Sequence, residues 1–150
     1  GIYLDQTVLR ICSNHRRIYI MLADELYRRG DKARAKEVLD YCEEHIPAYN
    51  VPYDFRGAAT AMSELYYELG DNDHANRIVE AVAENSVQYL NWYLGLSQGK
   101  FDNCVQEVGT HLYILNDVVK QMETYGAPNA AHFRKQCDDL YKTAEMKSRM

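Results

Sequence analysis

LADELYRRGDKARAKEVLD, residues Leu22 to Asp40, is answered forty positions later by MSELYYELGDNDHANRIVE, residues Met62 to Glu80. Tyr27, Gly30, Asp31 and Ala35 recur as Tyr67, Gly70, Asp71 and Ala75. Val38, Leu39 and Asp40 recur in kind as Ile78, Val79 and Glu80. Each stretch reads as a helix, a glycine turn and a second helix. Glycine takes the left-handed conformation that ends a helix without strain, and the Asp after it caps the next one. A fixed internal period marks a repeat architecture, in which each unit buries its apolar face on its neighbour. Such folds mostly present surfaces to partners.

Helical spacing continues on both sides of the repeat. Upstream, Val8, Ile11, Cys12, His15, Ile18, Tyr19, Leu22 and Leu26 follow the three-four rhythm of an amphipathic helix, with Asp5 or Thr7 available as its cap. This stripe is expected to face the core. Ala35, Val38, Leu39 and Cys42 face inward on the next helix, which Pro47 ends. AYNVPYDF, Ala48 to Phe55, is a loop, and further helices are expected over about 56–69 and from about 72. Ser97 to Lys100 reads as a turn. A long helix then runs over about 102–125 on Val105, Val108, Leu112, Leu115, Val118, Val119 and Met122. Gly126 ends it, and Pro128 suits the first turn of a last helix carrying Ala130, Phe133, Cys137, Leu140, Tyr141 and Ala144. No strand-like alternation of useful length interrupts the pattern.

A chain of 150 residues, 47% hydrophobic and 26% charged, has the composition of one globular domain. Its net charge of -5 argues against nucleic acid, which calls for a basic stripe, and against an anionic membrane surface. No apolar run approaches the ~18 residues of a bilayer span, so direct membrane insertion is not expected. With Gly1 at its start and no charged-then-apolar leader, the sequence reads as part of a longer polypeptide. Cys12, Cys42, Cys104 and Cys137 form no CxxC pair and mostly sit on apolar faces, as buried thiols do. The 13 tyrosines suit helix seams and wet interfaces alike.

Tyr19, Leu22, Ala23, Leu26, Gly30, Ala35, Leu39, Cys42 and Pro47 resemble the pattern of a tetratricopeptide repeat. Ala59, Met62, Ser63, Tyr66, Gly70, Ala75, Val79 and Val82 resemble it less closely: Ala59 is small where a large residue is usual, and Val87 stands in place of Pro. The resemblance implies an all-α, tetratricopeptide-like fold of antiparallel helix pairs in a right-handed superhelical array, with about six to seven helices. The reading is of a single helical-repeat domain over 1–150. Its repeat units lie at about 16–47 and 56–87, with a divergent helical hairpin cap at about 101–149. On this register Leu22→Ala and Leu39→Ala are core truncations expected to cost about 2–5 kcal/mol each.

The strings GIYLD, HRR, VLDYCE, IPAYNVPY, YYELG, YLNWYLGL and HLYIL resemble the C-terminal soluble region of a family of bacterial multi-pass membrane proteins. The N-terminal part of those proteins resembles membrane glycosyltransferases of the protein O-mannosyltransferase kind. The resemblance implies a domain tethered to a transmembrane part, at the periplasmic face of the inner membrane, with any catalytic residues upstream.

No catalytic constellation, cofactor fingerprint or metal motif stands out. There is no GxSxG, no phosphate-cradling glycine loop and no HExxH, and neither catalysis nor a cofactor is expected. Cys12-x-x-His15 and Cys42-x-x-His45 could each share a helical face, but three of these residues fall on stripes that packing uses. His74, His111 and His132 are scattered, and Glu43-Glu44 and Asp138-Asp139 read as solvated faces. The stronger candidates are groove residues. By register, the concave face carries Arg17, Ile20, Asp24, Tyr27 and Arg28 from the first unit and Thr60, Glu64, Tyr67 and Glu68 from the second. Arg forks onto carboxylates and Tyr stacks, which suits a protein or peptide partner or self-association. The function expected is a non-catalytic interaction or scaffolding module. The alternative is a carbohydrate- or acceptor-binding accessory domain using Tyr53, Phe55, Trp92 and Tyr93 for glycan stacking.

Overall fold

The computed structural model of the protein describes residues 3–54 and 58–150. Among these are seven α-helices and no strand, so the chain is all-α. The helices are α1 (Gln6–Arg28), α2 (Lys32–His45), α3 (Ala59–Glu68), α4 (Asn72–Leu94), α5 (Gln98–Asp102), α6 (Val105–Tyr125) and α7 (Ala130–Ser148). Two compact units are formed, Gly1–Ile78 and Val79–Met150, with the boundary inside α4.

The repeated turn recurs bond for bond. Gly30 and Gly70 have φ of 83° and 81°. Their N–H groups donate to the Tyr27 and Tyr67 carbonyls at 2.9 and 3.0 Å. The Asp31 and Asp71 N–H groups donate to the Leu26 and Tyr66 carbonyls, both at 2.9 Å. This double closure satisfies carbonyls that a helix end leaves open. A Cβ at either glycine would meet no atom within 4 Å, so the demand for glycine is conformational rather than steric. Each Asp then caps the next helix, accepting from the Arg34 N–H at 3.2 Å and the His74 N–H at 3.3 Å.

Other boundaries follow local chemistry. Asp5 caps α1, accepting from the Thr7 and Val8 N–H groups. α2 stops at His45, two residues before Pro47, and Gly126 (φ 68°) ends α6. α4 runs unbroken through Asn85 and Ser86. The Ser97 to Lys100 region expected as a turn instead leads into the short helix α5, and Pro128 lies just ahead of α7 rather than in its first turn.

In the first unit Ala23, Ala35, Leu39 and Cys42 are fully buried, as are Met62, Tyr66 and Ala75. In the second, Val108, Leu112, Leu115, Val118, Val119 and Met122 of α6 are buried, as are Phe133, Cys137, Leu140 and Ala144 of α7. Val105 and Tyr141, expected in those stripes, are exposed. α6 packs on α7. The far end of α7 is tied down by Lys147, whose ammonium donates to the carbonyls of Leu94, the last residue of α4, and of Leu96 just past it.

The inward face of α1 differs from expectation. Arg16, Ile20 and Ala23 are buried, whereas Val8, Ile11, His15, Ile18 and Leu22 are exposed. The rotation is set by Arg16, which is 0% exposed. Its Nη2 donates to the carbonyls of Ile46 at 2.9 Å and Val51 at 2.7 Å, and its Nη1 to that of Pro52 at 3.2 Å. The guanidinium also lies 5.1 Å from the Tyr53 ring centroid. A buried charge has to be met by polar groups, and here the end of α2 and the loop after it supply them. Turning α1 to bury Leu22 would carry Arg16 away from all three carbonyls.

Arg16→Ala is expected to lower the unfolding free energy by about 3–5 kcal/mol, through lost packing and three stranded carbonyls. Leu39→Ala should cost about 2–5 kcal/mol and Leu22→Ala under about 1 kcal/mol. Urea denaturation of the three variants checks the order, and equal costs for the two leucines would contradict the rotation of α1.

Candidate functional site

Two helices of the first unit enclose a cleft of about 510 Å³. From α1 it takes Arg17, Ile20, Met21, Asp24, Tyr27 and Arg28, which recur at three-four spacing on one side of the helix. From α3 and the residue before it come Ala58, Ala61, Glu64, Leu65 and Glu68. Ala58 holds a left-handed backbone (φ 59°) at the start of α3, an uncommon conformation for a residue with a Cβ.

Several of the charges in the cleft are already engaged. Arg28 Nε lies 2.8 Å from Asp24 Oδ2. The Tyr27 hydroxyl donates to Glu68 Oε2 at 3.1 Å, and that bond raises the Tyr27 pKa. Lys32 lies over the Tyr27 ring. Arg17 and Glu64 have no hydrogen bond or ion pair among the described residues. Among the described residues the cleft therefore offers an apolar lining of Ile20, Met21, Ala61 and Leu65, with one free cation and one free anion.

Of the nine groove residues expected from sequence, seven meet here: Arg17, Ile20, Asp24, Tyr27, Arg28, Glu64 and Glu68. Thr60 does not line the cleft, and neither does Tyr67. Tyr67 is 5% exposed and donates its hydroxyl to Asn76 Oδ1 at 2.6 Å, so it braces α3 against the start of α4. Met21, Ala61 and Leu65 were not anticipated. Met21 could have been, since it falls in the series Arg17, Met21, Asp24, Arg28.

The aromatic set divides. Trp92 is 61% exposed, and its ring centroid lies 4.9 Å from that of Tyr93 at a steep angle. Beside them Tyr89 stacks on His111 at 4.6 Å, and burial lowers the His111 pKa. Tyr53 is occupied instead within the first unit, its hydroxyl donating to Glu43 Oε2 and its ring lying under Arg16. Burial and that bond push its pKa up. Phe55 lies outside the described residues.

Among the described residues the Cys-His pairs do not come together into a metal-binding group. Cys42 is fully buried, and burial pushes its thiol up to about 11, only partly opposed by Arg16. It is protonated at neutral pH and not a nucleophile. His45 is exposed, stacked on Tyr41 with ring centroids 3.8 Å apart.

Among the described residues, one group has the donor set of a metal site: Asp40, Asp71 and His74, with ligand atoms all within 4.8 Å of one another. A lysine supplies the positive charge there. Lys36 Nζ lies 2.7 Å from Asp40 Oδ2 and 3.2 Å from Asp71 Oδ2. His74 Nδ1 is 2.7 Å from Asp71 Oδ2, and the Tyr66 hydroxyl donates to Asp40 Oδ1 at 3.2 Å. The His74 ring stacks on Tyr66. Burial works to raise the Asp71 pKa, but bonds from the His74 backbone, Lys36 and the His74 ring outweigh it and hold the carboxyl below its usual range. The bond to Asp40 raises Lys36. The arrangement is an ion-pair network that joins α2 to the start of α4.

The chain matches no protein family model, no curated protein and no solved structure.

Asp71 contributes stability above the unfolded carboxyl value of about 4 and loses it as pH falls through its lower folded value. Lys36→Met is thus expected to destabilise the protein at pH 7, with the gap from wild type closing as the pH falls through the lowered Asp71 value. Thermal melts from acid to neutral pH read the effect, and a gap independent of pH would refute the assignment.

Proposed function

We propose that this chain is a non-catalytic interaction module that binds a short segment of a partner protein in the α1–α3 cleft. The observation carrying this reading is the pairing of an apolar floor with unengaged charges of both signs, Arg17 and Glu64, in one concavity. The apolar floor takes an aliphatic side chain. Glu64, near Glu68, draws a basic residue on one side of it. Arg17 takes a carboxylate on the other, as a fork or through the chain terminus. Pre-paired charges such as Arg28–Asp24 stiffen the rim without spending the free ones.

The tetratricopeptide-like arrangement of antiparallel pairs in a right-handed array belongs to the same proposal. The recurrence of the turn at Gly30 and Gly70, and the burial of the small positions Ala23, Ala35, Ser63 and Ala75, support it. No described helix is long and apolar enough to cross a membrane. Tethering to a glycosyltransferase-like membrane protein, at the periplasmic face, rests on the sequence strings alone. Its test is whether the polypeptide encoded ahead of Gly1 contains several apolar stretches of about 20 residues. A second reading, glycan binding, is favoured by one observation, the exposure of Trp92 beside Tyr93.

Fluorescence polarisation with short peptides carrying a central Leu flanked by Lys and Glu tests the cleft. Met21→Glu should abolish binding by charging the floor. Glu64→Lys should weaken it about three- to tenfold, and exchanging the peptide Lys for Glu should restore it. Unchanged binding in both variants would sink the proposal. Saccharide binding lost on Trp92→Ala would favour the second reading.

A further inference from the structure

We propose that His111 is a pH-sensitive switch in the second unit. Neutral, it is held in a stack with Tyr89 and Tyr93 of α4; protonated, it leaves the stack for Glu107, one turn earlier on α6. All of these residues lie within Val79–Met150. The His111 ring lies on that of Tyr89, with centroids 4.6 Å apart and planes 17° from parallel, and 6.1 Å from that of Tyr93. Tyr89 and Tyr93 are themselves stacked at 6.3 Å. Trp92 meets Tyr93 at 4.9 Å, so the rings that hold His111 continue into an exposed aromatic pair.

The stack suits a neutral imidazole. Nδ1 of His111 is buried and has no hydrogen-bond partner among the described residues. In the neutral ring that nitrogen stays a bare acceptor, with the proton on Nε2. Protonation turns it into a charged N–H donor, and a buried charged donor without an acceptor is costly. The titratable groups around the stack are Tyr89 and Tyr93 from α4 and, around the start of α6, Cys104 and Glu107, which act on Tyr93. None of them is a cation, and none acts on His111 by charge: burial alone lowers its pKa.

The charged state has a place to go. Glu107 precedes His111 by four residues, the spacing at which side chains on a helix meet, with the acid on the favoured N-terminal side. Glu107 is exposed and has no hydrogen bond or ion pair among the described residues. Tyr89 is 45% exposed, so the stack opens to solvent on one side and the imidazole can leave without unfolding the unit. The backbone of α4 stays in place, since Leu90 is fully buried and Lys147 holds the Leu94 carbonyl. With His111 gone, Tyr93 loses a neighbour and its contact with Trp92 is reset. The stack keeps its full stability above the ordinary imidazole value of about 6.5 and loses stability as pH falls from there through the lower value of the stacked ring. The inference depends neither on the cleft nor on what Trp92 binds.

Trp92 is the one tryptophan of the chain, so its emission reports this surface alone. Between about pH 8 and about pH 4.5 the emission of the full chain should change in one step centred below the ordinary imidazole value, with far-ultraviolet circular dichroism unchanged. Nuclear magnetic resonance of the wild-type chain should find His111 protonated on Nε2 at high pH and titrating at the same midpoint. His111→Phe, which keeps a ring in the stack, should flatten the emission profile. Glu107→Gln should move the midpoint to lower pH while leaving the emission at high pH unchanged. Emission that does not change with pH in the wild type, a step that survives His111→Phe, or a His111 that titrates at or above its ordinary value overturns the proposal. A midpoint indifferent to Glu107→Gln does so too.

Discussion

A buried guanidinium organises the first unit. Arg16 sits in the middle of α1 with no exposed surface, and three carbonyls of the segment after α2 converge on it. Removing an ion from water costs several kcal/mol, and the cost is offset only where fixed polar groups replace the water. Among the described residues the turn bonds of the segment from Ile46 to Pro52 end on the Pro47 carbonyl, which leaves those of Ile46, Val51 and Pro52 to the guanidinium. Each half of the interaction therefore solves the other's problem. Because the guanidinium is planar and presents several donors in a fixed fork, the contact sets the rotation of α1 as well as its distance from α2.

That rotation distributes three roles around one helix. The side with Arg16, Ile20 and Ala23 holds the fold. The side with Arg17, Met21 and Asp24 lines the cleft with α3. The side with Val8, Ile11, Ile18 and Leu22 is left to solvent. The most regular apolar stripe on α1 is thus the one the fold does not use. The polar groups show a similar division. Lys36 pairs with Asp40 and Asp71, and His74 bonds to Asp71; Arg28 pairs with Asp24 and, in the second unit, Arg134 with Glu123. Arg17 and Glu64, in the cleft, take no part in any of these pairs.

The repeat shows how far local sequence carries. The two glycine turns close with the same bonds, and the aspartates cap alike, because those interactions lie within six residues. The surroundings then differ. Tyr27 reaches across to Glu68, whereas Tyr67 turns to Asn76 and is buried. Leu22 is half exposed where Met62 is enclosed. Equivalent positions in a repeat share a backbone but not neighbours, and burial belongs to neighbours.

Helix content, the turns at Gly30, Gly70 and Gly126, and most of the cleft residues were legible from sequence alone. Each depends on short-range geometry: the 3.6-residue period, the left-handed tolerance of glycine, and the reach of an Asp side chain to the next N–H. The inward stripe of α6, Val105 apart, was legible too, since there the apolar arc is also the packed one. Tertiary structure alone decided which arc of α1 is buried, because that depended on Arg16 meeting carbonyls thirty or more residues away. It also decided that Tyr53 serves a buried network with Glu43, and that Lys36 fills the space between Asp40 and Asp71. Periodicity reports which face of a helix is apolar. It carries no information on which polar groups the rest of the chain will bring to meet a charge, and in this protein a charge set the orientation.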